Sequence, residues 1–344
     1  MSGAAVANLP EDLSPEQARG LLELVPRLDG RRVLVVGDWV ADEFVFTGAG
    51  RVSREAPVLI LRHERSTIVP GAAANAVANI AALGGVPVAC AQVGEDEWGE
   101  RLSEQLAERG TVLSGLQRRP AWPTPRKCRI LAGDRNVALQ QVVRVDHGCD
   151  PCPPAELPDV ATLLDDVDGV LLSDYGLGFV TDELVARCLD GAKERGLTTC
   201  LDSRHRLLDH PGIDACTPSE QELEEALGGS VESAETRAEM AGAALDRTHA
   251  KVMVLTRGSQ GMEVYQPGQP TVSLAAFGSG GVADVTGAGD TVIATFSLAL
   301  AAGIDAVDAA RLANVAAGIV VTKIGTETAS PEEIAAALRT RAED

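Results

Sequence analysis

Runs of consecutive apolar residues alternate along this chain with longer segments whose apolar positions recur at helical spacing. Val33-Leu-Val-Val36, just before Gly37-Asp38, reads as a buried strand, because a strand covered on both faces has no polar side. Segments 86–93, 168–173, 198–202 and 251–256 read the same way. Helical patterns surround them at 15–28, 72–83, 98–109, 181–195, 220–227, 234–249, 290–302 and 306–321, and a final helix follows. This alternation predicts an α/β fold with a mostly parallel central sheet flanked by helices. Two stretches, 44–64 and 124–146, break the pattern. They read as β-strands separated by turns, without the continuous apolar character of central strands. They predict either a small β-sheet lid or edge hairpins. With no internal repeat and no low-complexity linker, the expected organisation is a helical N-terminal extension (1–30) and one domain (31–340) carrying the lid segments.

Composition refines this picture. Of 344 residues, 45% are hydrophobic but 3% aromatic, so the core rests on Ala, Val, Leu and Ile. The net charge of −20 argues against nucleic acid or an anionic membrane surface as a partner. It does not exclude a nucleotide. Exposed charges are screened within about 8 Å at physiological salt, so a local anion hole with bound Mg²⁺ can act against the global field. No apolar run reaches a membrane span, and the N-terminus lacks the basic and apolar regions of a secretion signal. Seven scattered cysteines, an odd number, read as reduced thiols of a cytoplasmic protein; Cys149-Asp-Pro-Cys152 is a lone pair without further metal ligands nearby.

The most informative chemistry lies in Asp284-Val-Thr-Gly-Ala-Gly-Asp290, which opens a strongly apolar segment ending at Gly303. Small residues allow close backbone approach to a ligand. The free amides of a helix start form an anion hole. A carboxylate there is poised to take a proton from a group beside the anion. This pattern predicts phosphoryl transfer to a hydroxyl. The chain has no G-x-x-x-x-G-K-[ST] loop and neither H-R-D nor D-F-G, so it uses another kinase scaffold.

Taken in order, several motifs carry a family resemblance. They are Gly37-Asp38 with Asp42-Glu43, Ser53-Arg-Glu-Ala-Pro57, Pro70-Gly-Ala-Ala-Ala-Asn75, and Val93 to Leu102. Ser173-Asp-Tyr175, Thr256-Arg-Gly-Ser-Gln-Gly261 and Asp284–Asp290 complete the set. The chain resembles the ribokinase-like (PfkB) carbohydrate kinases over about residues 16–340, and within them the D-glycero-β-D-manno-heptose 7-phosphate kinases. The resemblance implies a ribokinase-like fold with a β-lid over the sugar, ATP and Mg²⁺ as cofactors, and K⁺ as a candidate third. It implies Asp290 as general base and Gly287, Ala288 and Gly289 as the anion hole. Thr256, Gly258, Gly261 and Ser219 would lie at the nucleotide phosphates and Asn314 near the adenine. Asp38, Asp42, Gly71, Asn75, Asp174 and Arg204 would face the sugar. Glu222 would belong to the Mg²⁺ region, and Asp284 and Thr286 to a monovalent-cation site. A homodimer through the lid is a further implication.

The chain also departs from the heptose-kinase pattern. Ala72 stands for a glycine, Leu177 for a lysine, Ser203-Arg204 for Pro-Lys, and Ser219 for an asparagine. Arg204, or Arg51, Arg54, Arg126 or Lys127 of the lid segments, could replace the lost cation, since Arg suits bidentate phosphate binding. Three functions follow: a heptose 7-phosphate kinase acting at O1, a kinase for another sugar, sugar phosphate or nucleoside, and a non-catalytic sensor that kept the fold.

Overall fold

The computed structural model describes residues 12–134, 137–278, 281 and 283–343. Its main sheet has nine strands in the order β13-β12-β11-β10-β9-β8-β1-β4-β5. They are β1 (Arg32–Gly37), β4 (Val86–Gly94), β5 (Val112–Arg119), β8 (Gly169–Asp174), β9 (Thr198–Ser203) and β10 (Ala215–Cys216). The order closes with β11 (Val252–Thr256), β12 (Met262–Tyr265) and β13 (Val272–Leu274). All adjacent pairs from β5 to β11 are parallel, and β12 and β13 add an antiparallel edge.

Alternate residues of each buried strand feed two cores. Val33 and Val35 of β1 pack on one side with α1 (Pro15–Leu24), α2 (Ala73–Ala82), α3 (Glu97–Glu108), α8 (Ala288–Ala301), α9 (Ala306–Val320) and α10 (Pro331–Glu343). Leu34 and Val36 pack on the other with α4 (Val160–Leu163), α5 (Asp182–Arg195), α6 (Glu220–Leu227) and α7 (Ala234–Thr248). This period-2 division produces the covered sheet that the apolar runs predict. The helix α8 is buried over Asp290–Ala299, which explains why its sequence is apolar all round.

The segment 12–28 is built into the main body. Ala18 and Leu21 of α1, then Val25 and Leu28 of a following 3₁₀ turn, all enter the first core. Arg19 donates to the Ala342 carbonyl and Arg341 to that of Leu13, joining α1 to α10. Residues 1–11 of the expected extension lie outside the described residues.

The two helix-free stretches form one four-stranded sheet, ordered β3-β2-β6-β7. It comprises β2 (Trp39–Val52), β3 (Leu59–Ala72), β6 (Arg126–Asp134) and β7 (Val137–His147). Strands β2 and β3 run further than 44–64, β6 and β7 fall at 126–147, and β2 continues almost directly from β1. Among the described residues, no helix is long and apolar enough to cross a membrane, and all seven cysteines are free thiols.

Candidate active site

The strand order turns at β1, which has β4 on one side and β8 on the other. Open α/β sheets bind ligands beyond the carboxyl ends of the strands at such a point. Gly37 closes β1 there. A Cβ on it would lie 2.5 Å from the Ala73 Cβ and 2.5 Å from the Ser173 carbonyl, so glycine lets α2 and β8 converge.

Asp290 sits in the first turn of α8 and is 6% exposed. Gly287 caps this helix in the left-handed region at φ +79°. The Asn75 side-chain amide donates to Asp290 Oδ2 at 2.9 Å, and the Tyr175 hydroxyl donates to Oδ1. Asn79 Nδ2 donates to Asn75 Oδ1 at 3.1 Å, and the Thr291 hydroxyl donates to Asn79 Oδ1 at 3.1 Å. This chain fixes the orientation of both amides. Burial pushes the Asp290 carboxyl up to about 6, and the Asp42 charge adds to the rise. The bonds from Tyr175 and Asn75 and the charge of Arg204 oppose it. The result is a carboxylate ionised at neutral pH yet basic enough to accept a proton. A Cβ on Gly289 would meet nothing within 4 Å, so the helix start opens onto free space. The Ala288 amide, one of the three small-residue groups predicted as the anion hole, instead donates to the Val285 carbonyl at 3.2 Å.

Asp42 and Gly71 meet on neighbouring strands; a Cβ on Gly71 would lie 2.6 Å from Asp42 Oδ2. Arg129 donates to Asp42 Oδ1 at 3.2 Å. Burial raises the Asp42 carboxyl, against the pull of Arg129, Lys127 and Arg144. The Lys127 ammonium lies 5.4 Å and the Arg204 guanidinium 4.5 Å from the Tyr175 ring centroid. Burial, then the charge of Arg204, lowers the Lys127 pKa. Of the other cations considered, Arg126 pairs with Glu43 at 2.8 Å and covers Trp98, while Arg51 and Arg54 are exposed.

Several residues expected to touch ligands are committed to the protein itself. Asp38 accepts the backbone amides of Tyr175 (2.9 Å), Leu177 (3.0 Å) and Phe179 (3.1 Å). It shapes the loop after β8 rather than presenting a free carboxylate to a sugar. Burial holds it at about 6. Asp174 accepts from the Gly176 amide (3.0 Å), the Ser203 hydroxyl (3.1 Å) and Arg206 (2.8 Å). Asn75 points its amide at Asp290. Asp284 accepts from the Thr286 amide (2.9 Å), the Thr286 hydroxyl (2.7 Å) and the Gly325 amide (3.1 Å), so this pair braces its own loop.

Ser219 and Glu222 form the capping box of α6. The Glu222 carboxylate accepts the Ser219 amide at 2.8 Å, and the Ser219 hydroxyl accepts the Glu222 amide at 3.3 Å. The S-x-x-E spacing itself signals this role. Ser219→Ala is expected to cost about 1 kcal/mol of stability, read by chemical denaturation. Ser219 also lines a cleft of about 660 Å³ with Thr256, Arg257 and Gly258. Gly261 closes that turn at φ +90°, where a Cβ would fall 1.9 Å from the Leu274 carbonyl. Asn314 lies apart, in a pocket of about 470 Å³ bounded by Ala275–Gly278, and its amide donates to the Ala275 carbonyl at 2.7 Å.

Tyr175 ends the Ser173-Asp-Tyr175 motif but was given no role there, and Asn79 and Thr291 lie outside the motifs. Asn75 and Asn79 carry a readable signal: two amides four residues apart in an otherwise apolar helix share one face and need partners there.

The pfkB family carbohydrate kinase model matches residues 31–333. The chain belongs to this family. As a pfkB kinase it is a phosphotransferase acting on sugars, and the site above is where that chemistry is to be sought. Its relatives include the "Bifunctional protein HldE" of Citrifermentans bemidjiense, 35% identical over 324 residues, 91% of this chain and 64% of the relative. The HldE of Methylococcus capsulatus is 38% identical over 320 residues, 92% and 65% respectively. This chain therefore spans less than two thirds of the length of these relatives. In fold, the pfkB kinase is similar to Arabidopsis thaliana ribokinase complexed with ribose and ATP: TM-score 0.73, 21% identity, covering 90% of this chain and 99% of that one. It is likewise similar to Escherichia coli phosphofructokinase-2: TM-score 0.72, 17% identity, with the same coverage.

Proposed function

We propose that this chain transfers the γ-phosphoryl group of ATP to the O1 hydroxyl of D-glycero-D-manno-heptose 7-phosphate, giving the 1,7-bisphosphate. The observation that carries the reading is the Asp290 carboxylate, buried at the start of α8 and held on both oxygens by Asn75 and Tyr175. Asp290 takes the proton of the acceptor hydroxyl as its oxygen bonds to the γ-phosphorus and the bond to ADP breaks. A positioned base contributes about 10²–10⁴-fold. With the Ala288 amide committed to Val285, the Gly287 and Gly289 amides of this turn would supply the donors for the charge on the transferring group, each worth about 10²–10³-fold. Thr256, Gly258 and Gly261 line the path of the nucleotide phosphates, and the Asn314 pocket receives the base.

Mg²⁺ fits the acidic residues behind this site. Asp202 is raised well above the carboxylate range by burial, then by the neighbouring charges of Glu222 and Asp290. A divalent cation carried by the nucleotide phosphates would relieve that repulsion, with Asp202 and Glu222 as its protein neighbours. Among the described residues no three acidic, His or Cys side chains form a protein-only cage, which accords with a metal bound largely by phosphates and water. When bound, it would neutralise phosphate charge. The internal bonds of Asp284 and Thr286 give no support to a K⁺ site.

Lys127 and Arg204, beside the base, favour an acceptor that carries a phosphate. In an ADP-release assay over a panel of sugars, phosphorylated heptose is expected to exceed its unphosphorylated form by at least about tenfold in kcat/KM. Preference for an unphosphorylated sugar or a nucleoside would replace the heptose phosphate reading. Exposed Val52, Leu59, Ile60, Val142, Val143 and Val145 on the second sheet support a homodimer through it. A monomer at micromolar concentration in sedimentation would contradict that arrangement.

A further inference from the structure

We infer that Tyr175 is a positioning residue that ties the general base to the Lys127–Arg204 cation pair. The inference rests on the reading of Asp290 as the base.

Two kinds of contact meet on this side chain. Its hydroxyl donates to Asp290 Oδ1, opposite the Asn75 amide on Oδ2, so the carboxylate cannot rotate without losing both bonds. Its ring lies beneath two cations from separate elements, Lys127 of β6 and Arg204 after β9, at 5.4 and 4.5 Å. Cations at such distances are attracted to the ring face. The ring is placed in turn by its own backbone amide, which donates to Asp38 Oδ2 at 2.9 Å. One residue thus joins the second sheet, the loop after β9 and the base.

Two charged groups around Asp290 bear on its ionisation. Asp42 on β2 raises its pKa, and Arg204 lowers it. Asp202 near the end of β9 shares the same acidic neighbourhood, with Glu222 of α6 and Asp174 of β8 behind it, and Lys127 of β6 lies over the Tyr175 ring. Burial and the nearby acids Asp290 and Asp202 keep the phenol far above its usual range, so Tyr175 remains a neutral donor throughout the working pH. Donation to the ionised form favours that form, and the Tyr175 bond therefore keeps the base charged at a pH where burial alone would protonate it.

Two variants separate the contacts. Tyr175→Phe keeps the ring and removes the hydroxyl. The acidic limb of its kcat/KM profile is expected to move up by about one pH unit, the effect of losing one charge-assisted hydrogen bond. Its acceptor KM should stay within about twofold. Tyr175→Leu removes both contacts; it should show the same shift and an acceptor KM raised about tenfold, since the cations lose their platform. Circular dichroism and melting of each variant establish that it is folded. A folded Phe variant that loses turnover equally at every pH, or keeps the wild-type limb, overturns the inference. So does a folded Leu variant with unchanged acceptor KM. If Asp290→Asn retains near-normal turnover, the base assignment itself fails; if that variant is inactive and Tyr175→Phe is unshifted, the role of Tyr175 alone falls.

Discussion

Replacing Asp290 by asparagine is expected to lower kcat by at least about 10²-fold while leaving sugar binding nearly intact. The two side chains have the same shape. Asparagine can keep its oxygen toward the Asn75 amide and turn its own NH₂ toward the Tyr175 oxygen, so the surroundings remain satisfied. What is lost is the capacity to accept a proton. The loss belongs to kcat because the hydroxyl transfers its proton only as it attacks. Steady-state kinetics on the purified variant, with calorimetric sugar binding, check this. Turnover within a few-fold of wild type would remove Asp290 from the base role.

Gly287→Ala should be nearly as damaging by a different route. The position has φ +79°, where a Cβ costs about 1–2 kcal/mol. The added methyl would also lie 2.6 Å from Asn75 Nδ2 and 3.1 Å from Thr326 Cγ2. Relief of such an overlap costs typically about 1–3 kcal/mol more. Asn75 is the group that must move, and it holds Asp290, the proposed base. Turnover is therefore expected to fall by about 10²-fold or more, with the unfolding midpoint lowered. Gly289→Ala provides the contrast, because its Cβ would meet nothing within 4 Å. Equal stability of the two variants in denaturant unfolding would contradict this account of the turn.

The legible parts of the fold were those where burial is continuous. Strands β1, β8 and β11 carry continuous apolar runs and announce themselves. Strand β5 (Val112–Arg119) forms the sheet edge and mixes polar with apolar residues, so it lacks that signature. Strand β10 has two residues, too few for any period, and β12 and β13 are short antiparallel additions after a turn. In the N-terminal segment the helix was readable, but its burial was not: Leu21 and Leu28 reach the core through contacts made far along the chain.

The site divides along the same line. Asp290 stood out because its sequence signal is local, small residues before it and an apolar helix after it, whereas the groups that hold it, Asn75 and Tyr175, come from far along the chain. Asp38 and Asp174 look equally suited to holding a sugar, yet loop amides and Arg206 reach them first, and only the fold brings those donors near. Ser219 and Glu222, placed by the resemblance at the nucleotide phosphates and the Mg²⁺ region, form the capping box of α6, which the S-x-x-E spacing carries as a local signal. Tyr175 gave no local sign, because its role depends on α8, β6 and the loop after β9 meeting at one ring.

The central claim, an acceptor-dependent kinase with Asp290 as its base, is tested most directly by ADP release from Mg-ATP. The rate is measured with and without heptose 7-phosphate from pH 5 to 8. The account predicts release that requires the acceptor, saturates with it, and falls about tenfold per pH unit below an apparent pKa near 6, as the buried carboxylate becomes protonated. Release indifferent to this and every other sugar, or undiminished at pH 5, would contradict it.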